Sequence, residues 1–115
     1  MNATSRPPNL QAYEVMRATL AAVRPLIAAI ARHDRDLADQ LRRAATSVLL
    51  NLAESDGVHG GNRTQRRRTA LGSIYEVRAV LDAAVSLGYV DEGAGAEALA
   101  LADRVGAMLY RLTRR

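Results

Sequence analysis

Apolar residues recur at alternating steps of three and four in four segments of this 115-residue chain. That spacing puts them on one face of an α-helix, which completes a turn every 3.6 residues. Ala and Leu, two strong helix formers, are abundant, while Phe and Trp are absent. The sequence therefore predicts an all-α fold. The four apolar repeats are Tyr13, Met16, Leu20, Val23, Ile27 and Ile30; Leu37, Leu41, Ala44, Val48 and Leu52; Ala70, Ile74, Val77, Leu81 and Ala84; and Leu101, Val105, Met108 and Leu112.

Caps and breakers predict the limits of the first two helices. The first is expected from about Leu10 to Arg32. Pro25 inside it should kink the helix or split it near Arg24, because proline removes a backbone hydrogen bond. The second is expected from about Asp36 to Asp56, with Asp34 as its N-cap.

Glycines delimit the other two helices. The cluster at 57–62, Gly-Val-His-Gly-Gly-Asn, predicts a loop. The third helix is expected from about Thr64 to Leu87, with Asn62 or Thr64 as its N-cap. Gly88 then suits the left-handed residue that ends a helix. The fourth is expected after Asp91 and to about Thr113.

Helices of similar length joined by short loops favour antiparallel neighbours, so we expect an up-down-up-down four-helix bundle over residues 10–115. Residues 1–9 are polar and are expected to form a disordered N-terminal tail. Apolar residues beyond one inner stripe are typical of self-association. They are Leu49, Leu50, Leu71, Val80 and Val85.

What the sequence lacks excludes several kinds of site. The absence of cysteine excludes disulfides, thiolate metal sites and thiol nucleophiles, and is compatible with a cytoplasmic location. No apolar run approaches the length of a membrane span. His33 and His59 lack ligand spacing, no pair of Glu-x-x-His motifs exists, and the glycine loop lacks the Gly-Lys-Ser/Thr end of a phosphate loop. We therefore expect no metal, no cofactor, no membrane contact and no enzymatic activity.

The net charge of +4 resides in one short run. The chain has 16 arginines and 12 acids, and the run at 63–68, Arg-Thr-Gln-Arg-Arg-Arg, holds the excess. The expected topology gathers this run with the start of helix 1 and the ends of helices 2 and 4. We call this end the basic pole, and acids concentrate at the opposite end. The arginines of the basic pole are Arg6, Arg63, Arg66, Arg67, Arg68, Arg111, Arg114 and Arg115.

Two interpretations of the basic pole stay open. The free N–H groups at a helix start and the guanidinium groups beside them attract anions, so nucleic-acid phosphate is a candidate partner. The run could instead be a solvated helix start that packs against acids of a neighbouring subunit. No aromatic residue interleaves with the run, so base stacking is not expected and any contact should be indifferent to sequence.

Polar residues at steps of three and four form a stripe on helix 2 and a pair on helix 3. They indicate either a buried or interfacial hydrogen-bond network, or an exposed polar face. These residues are Gln40, Arg43, Ser47, Asn51 and Glu54 on helix 2, and Ser73 and Glu76 on helix 3.

Four blocks carry a family resemblance. Residues 40–48 read Gln-Leu-Arg-Arg-Ala-Ala-Thr-Ser-Val, and residues 51–54 read Asn-Leu-Ala-Glu. Residues 70–77 read Ala-Leu-Gly-Ser-Ile-Tyr-Glu-Val, and residues 87–90 read Leu-Gly-Tyr-Val. This pattern resembles the bacterial four-helix bundle proteins encoded in 23S ribosomal RNA intervening sequences, the S23 family. It is more distantly similar to the accessory variability protein of diversity-generating retroelements.

The resemblance implies a ring-shaped homopentamer with a basic surface suspected of nucleic-acid binding and without enzymatic activity. The retroelement relative implies a possible protein partner, a reverse transcriptase. Two positions depart from the family pattern: Ser55 stands where Gly is usual, and Arg63, Arg66 and Arg67 stand near places that are usually aromatic or aliphatic. The second departure predicts a more exposed start of helix 3.

Two functional hypotheses follow. The first is a non-catalytic, oligomeric bundle that binds nucleic acid, RNA in particular, through the basic pole. The second is a protein–protein scaffold or accessory subunit that binds an acidic protein or a reverse transcriptase.

Overall fold

The computed structural model describes residues 7–58 and 60–114, and within them it consists of four α-helices and no strand. The all-α prediction is confirmed. The helices are α1 (Pro8–Ala31), α2 (Arg35–Ser55), α3 (Gly61–Ser86) and α4 (Glu92–Thr113). Each helix packs against the next in the chain, and α1 also packs against α4.

Two helix ends follow the sequence prediction. The Asp34 carboxylate accepts a 3.0 Å hydrogen bond from the Leu37 backbone N–H, which is the expected N-cap of α2. After α3, Gly88 has a φ of 77°, and its N–H donates to the Val85 carbonyl. The Tyr89 N–H donates to the Ala84 carbonyl at 2.9 Å, which completes a Schellman ending.

Two helix starts and one helix interior differ from the prediction. α1 begins at Pro8, because proline is well tolerated in the first turn, where its missing N–H has no helical partner. Residues 1–6 of the expected tail lie outside the described residues. α1 continues through Pro25, so of the two expected outcomes, a kink or a split, the split does not occur. α3 begins at Gly61 and its N-cap is Gly60, with a φ of 62°, rather than Asn62 or Thr64.

The core is wider than a single apolar stripe, because each helix packs against two neighbours. The α3 repeat is entirely buried. On α1, two residues outside the predicted apolar repeat are more deeply buried than their neighbours within it. Ala12 and Leu26 are buried, while Tyr13 and Ile27 are half-buried. Most of the apolar residues beyond the inner stripe also pack against the core. Leu49, Leu71 and Val85 are half-buried against the core, Val80 is buried, and Leu50 is 53% exposed.

A buried hydrogen-bond network joins the start of α1 to the end of α2. The Asn9 amide donates to the Leu52 carbonyl at 3.2 Å and to the Asp56 carboxylate at 2.9 Å. The single Ser55 hydroxyl hydrogen is shared between two acceptors, the Asn9 side-chain oxygen at 3.0 Å and the Leu52 carbonyl at 2.7 Å. Ser55 is fully buried, and its hydroxyl supplies a hydrogen-bond donor that a glycine at this position would lack.

Candidate nucleic-acid interface

The first arginine of the run supports the turn between α2 and α3. Arg63 is half-buried, and its Nε–H donates to the carbonyl oxygens of Ser55 and Val58 at 3.3 and 3.2 Å. Those carbonyls lie at and just after the end of α2, where helical partners are missing. Arg63 therefore closes the turn, a role that its position in a charge run did not reveal.

The next three arginines occupy different environments. Arg66 forms an ion pair with Glu54 of α2, with 2.8 Å between Nη1 and Oε2, and about half of each side chain is exposed. Arg67 is half-buried and makes further contacts within the protein. Arg68 is exposed. Two of the four arginines of the run are therefore half-buried, and the other two are exposed.

Two more arginines of the predicted basic pole lie at the end of α4. Arg111 is exposed and lines a cleft of about 210 Å³, together with Pro8, Gln11, Met108 and Leu112. Arg114 donates a 2.7 Å hydrogen bond to the Tyr110 hydroxyl, and its guanidinium carbon lies 5.1 Å from the centre of the Tyr110 ring. Arg6 and Arg115, also predicted at the basic pole, lie outside the described residues.

The polar stripe is partly assembled into a network. The Ser47 and Ser73 hydroxyls share a 2.9 Å hydrogen bond between α2 and α3. The Asn51 amide donates to the Ser47 carbonyl at 2.9 Å and to its hydroxyl at 3.2 Å. Ser47, Asn51 and Ser73 are half-buried, and they link the middles of the two helices.

The remaining residues of the stripe face solvent. Gln40, Arg43 and Glu76 are exposed, and so is Glu54, the ion-pair partner of Arg66. A surface groove of about 430 Å³ opens along this face, with the exposed Leu50 among its lining residues. It is lined by Arg42, Arg43, Thr46, Ser47, Leu50, Asn51, Glu54 and Arg66.

Two exposed tyrosines were not predicted as site residues from the sequence. Tyr75 on α3 is 52% exposed, and Tyr110 on α4 is 47% exposed. They are 35 positions apart in the sequence, so only packing of α3 against α4 relates them. The Tyr75 ring lies beside the α4 backbone at Gly106, a contact that no local sequence signal predicts.

The described residues contain neither a cluster of metal ligands nor a membrane-spanning helix. Within residues 7–58 and 60–114, no group of three or more histidine, aspartate and glutamate side chains could hold a metal ion. Among the helices that the structure describes, none is long and apolar enough to cross a membrane.

Comparison with known proteins identifies a family. A family model described as 23S rRNA-intervening sequence protein matches residues 9–111, which is most of the chain. No curated protein and no solved structure matches the chain. The more distant similarity to the retroelement accessory protein stays a prediction.

Proposed function

The chain belongs to the 23S rRNA-intervening sequence protein family, and we propose that this member is a non-catalytic, oligomeric bundle that binds nucleic acid, RNA in particular, through its basic pole. The observation that carries the proposal is the exposure of Arg68 at the start of α3 and Arg111 at the end of α4. The family description refers to an intervening sequence of 23S rRNA, which is consistent with an RNA partner.

The proposal includes an antiparallel arrangement of neighbouring helices. Two contacts between α2 and α3 support it, because the later residue of α2 pairs with the earlier residue of α3. Glu54 pairs with Arg66, and Ser47 pairs with Ser73. The end of α2 therefore lies beside the start of α3.

The same reasoning brings α3 and α4 together at the basic pole. Arg78 on α3 forms a 3.1 Å ion pair with Asp103 on α4. Counting ten residues outward along each helix from this pair leads to Arg68 and to Thr113. In an antiparallel pair, Arg68 thus lies level with the last turn of α4, which carries Arg111.

The charges at this end favour phosphate. Arg68 and Arg111 make no ion pair with any residue in the described part of the chain. The start of α3 has no acid in its first turn and no side-chain cap, so its N–H groups add to the positive potential. Contacts of this kind go to the backbone of a nucleic acid, and they weaken as salt rises because bound counterions are released.

We also propose the ring-shaped homopentamer that the family resemblance implies. In a cyclic ring, all basic poles face the same side, so several weak phosphate contacts act together and raise the affinity. Light scattering after size-exclusion chromatography tests this directly. A pentamer gives five times the 12.4 kDa mass of one chain, and a mass of one or two chains contradicts it.

The binding test compares two variants of equal charge. One combines Arg66→Ala, Arg68→Ala and Arg111→Ala at the basic pole. The matched control changes three exposed arginines toward the other end of α1 and the start of α2: Arg24, Arg32 and Arg35. Each variant removes three positive charges, so a difference between them reports the position of the charge and not its total.

Fluorescence anisotropy of a labelled 30-nucleotide RNA, at several salt concentrations, measures the difference. We expect the basic-pole variant to lose affinity and to lower the salt slope by about 1.4, because Arg68 and Arg111 each account for about 0.7 and Arg66 is offset by Glu54. The control variant should stay close to the unmodified protein. Equal behaviour of the two variants would rule out the basic pole as the binding surface.

A protein scaffold is the second candidate function, and the groove between α2 and α3 is the observation that favours it. Leu50 is 53% exposed in a groove that also contains Arg42 and Arg43. An apolar anchor rimmed by arginine suits an acidic protein partner. Purified protein with a low 260/280 absorbance ratio and no RNA affinity at low salt would favour this function over the first.

A further inference from the structure

Two exposed tyrosines lie near Gly106 of α4. A β-carbon added at Gly106 would lie 3.7 Å from Cε1 of Tyr75, so the Tyr75 ring rests beside the backbone of α4 at this glycine. Tyr110 follows Gly106 by four residues, which is one helical turn and about 6 Å on the same face. Both rings therefore lie on the surface between α3 and α4, although each belongs to a different helix.

The other two tyrosines are engaged differently. Tyr13 is half-buried against the core, and Tyr89 stacks on the His33 ring, with 4.8 Å between ring centres and 5° between ring planes. Tyr75 and Tyr110 are the more exposed pair, at 52% and 47%. An exposed aromatic face beside cations is the combination on which unpaired bases stack.

Arginines border this aromatic surface. Arg114 holds Tyr110 through the 2.7 Å hydrogen bond to its hydroxyl and lies over its ring. Arg68 precedes Tyr75 by seven residues, or two helical turns, and is exposed. Arg78 lies three residues after Tyr75 and is compensated by Asp103. The uncompensated charge is therefore on the side of the basic pole, from which a phosphate backbone would approach.

From this arrangement we infer that Tyr75 and Tyr110 form a stacking site for unpaired nucleobases of a single-stranded nucleic acid whose phosphates contact Arg68 and Arg114. The inference rests on the proposed function and adds a ligand class to it, because stacking needs bases that are not paired in a duplex. It also revises the sequence-based expectation that base stacking plays no part. That expectation considered the arginine run alone, whereas the tyrosines come from further along α3 and from α4.

The arginine border favours nucleic acid over a protein partner at this surface. Stacking is possible with every base, so the site should prefer single strands without selecting a sequence.

The test uses the full chain and an unstructured 20-nucleotide RNA in which one central adenine is replaced by 2-aminopurine, whose fluorescence falls when it stacks. Binding is measured for the unmodified protein, for Tyr75→Ala with Tyr110→Ala, and for Tyr75→Phe with Tyr110→Phe. We expect the alanine pair to weaken binding about tenfold or more and to abolish the fluorescence change. The phenylalanine pair should retain most of both, because it keeps the rings.

Two control variants remove side chains of similar exposure at other places. Leu50→Ala alters the groove between α2 and α3, and Leu87→Ala alters the end of α3 opposite the basic pole. Neither should change the affinity. All these substitutions are at exposed positions, and circular dichroism melting confirms that each variant is folded.

Two further probes separate the bases from the backbone. An abasic strand of equal length carries the phosphates alone, and a duplex of equal length hides the bases. The unmodified protein should bind both more weakly than the single strand, and the alanine pair should remove that difference. Matching single-stranded DNA reports whether the ribose contributes.

The results distinguish this inference from the proposed function. Salt-dependent binding that is unchanged in the alanine pair, or equal affinity for single strand, abasic strand and duplex, overturns the stacking site and leaves the basic pole in place. If Leu50→Ala abolishes binding and the tyrosine variants do not, the nucleic acid occupies the other face. Absence of binding to every probe at low salt overturns both.

Discussion

The Ser55 hydroxyl donates a hydrogen bond of 3.0 Å to the side-chain oxygen of Asn9, 46 residues earlier in the chain. Both side chains are buried, and the Asn9 amide in turn bonds to the end of α2. This pair therefore fixes the start of α1 against the α2–α3 turn. Because that turn leads into the arginine run, the pair also supports the surface to which we assign nucleic-acid binding.

Replacing Ser55 with alanine should destabilise the protein by about 1–2 kcal/mol. The Asn9 oxygen would stay buried and lose its donor, and an unsatisfied buried acceptor costs about 1–3 kcal/mol, partly offset by the better helix propensity of alanine. Urea unfolding followed by circular dichroism measures the change. Thr46→Ala is the control, since its exposed hydroxyl donates to the Arg42 carbonyl one turn earlier on the same helix. An equal effect of the two substitutions would contradict this role of Ser55.

Helix number and most helix limits could be predicted from the sequence, because they depend on local signals. Asp34 and Gly88 act through hydrogen bonds to residues a few positions away, and both were predicted correctly. The helix starts near Pro8 and Gly60 were predicted wrongly. Proline and glycine usually interrupt helices, and here each stands at a helix start, where the missing N–H or the positive φ is tolerated.

The candidate site was only partly predictable, because its residues meet through tertiary contacts. A charge run looks uniform in the sequence, yet Arg63 closes a turn, Arg66 pairs with Glu54, and Arg68 is exposed. Which of these environments each arginine occupies depends on where α2 ends relative to α3. The relation between Tyr75 and Tyr110 depends in the same way on the packing of α3 against α4.

Arg63→Ala should lower stability, whereas Arg68→Ala should leave it unchanged. Arg63 donates to two carbonyls near the end of α2, and the loss of these bonds at a half-buried position should cost about 1 kcal/mol. Arg68 is exposed and pairs with no described residue, so its removal should change stability by less than about 0.5 kcal/mol. Thermal and urea unfolding of the two variants provides the comparison.

The same two variants should show the opposite order in RNA binding. At a temperature where both are folded, Arg68→Ala should reduce affinity and the salt slope, whereas Arg63→Ala should change them less. Stability loss in Arg68→Ala, or a larger binding defect in Arg63→Ala, would reverse the roles that their environments indicate.

Glu54→Gln should increase affinity for nucleic acid. The Glu54 carboxylate lies 2.8 Å from Arg66 and offsets its charge, so its removal frees one cation for phosphate. The salt slope should steepen by up to about 0.7, the value for one contact on a single strand. The cost in stability should be small, about 0.2–1 kcal/mol, because both side chains are half exposed.

Glu97→Gln is the matched control for that measurement. It removes the same charge from an exposed position in the first turns of α4, at the opposite end of the helix from Arg111. A similar gain in affinity for both variants would mean that net charge alone governs binding. No gain for Glu54→Gln would indicate that Arg66 does not contact the ligand.

Gly72→Ala should stabilise the isolated subunit by about 1 kcal/mol. Gly72 lies in the middle of α3 and is exposed, and apart from its chain neighbours and the backbone of its own helix no described atom lies within 4 Å of the position that a β-carbon would take. Alanine there removes backbone entropy from the unfolded chain and meets no clash. The melting temperature should rise by a few degrees. Gly88→Ala gives the contrasting control: at a φ of 77°, a β-carbon is strained, and stability should fall by about 1 kcal/mol.

The same substitution also tests whether the glycine serves self-association. An exposed glycine inside a helix lowers the stability of one subunit. Without a side chain, however, Gly72 would allow a second subunit to pack closely against the backbone of α3. If the ring uses this face, Gly72→Ala should raise the unfolding free energy measured at low protein concentration and reduce the mass measured by light scattering. An unchanged mass together with higher stability would place the subunit contact on another face of the bundle.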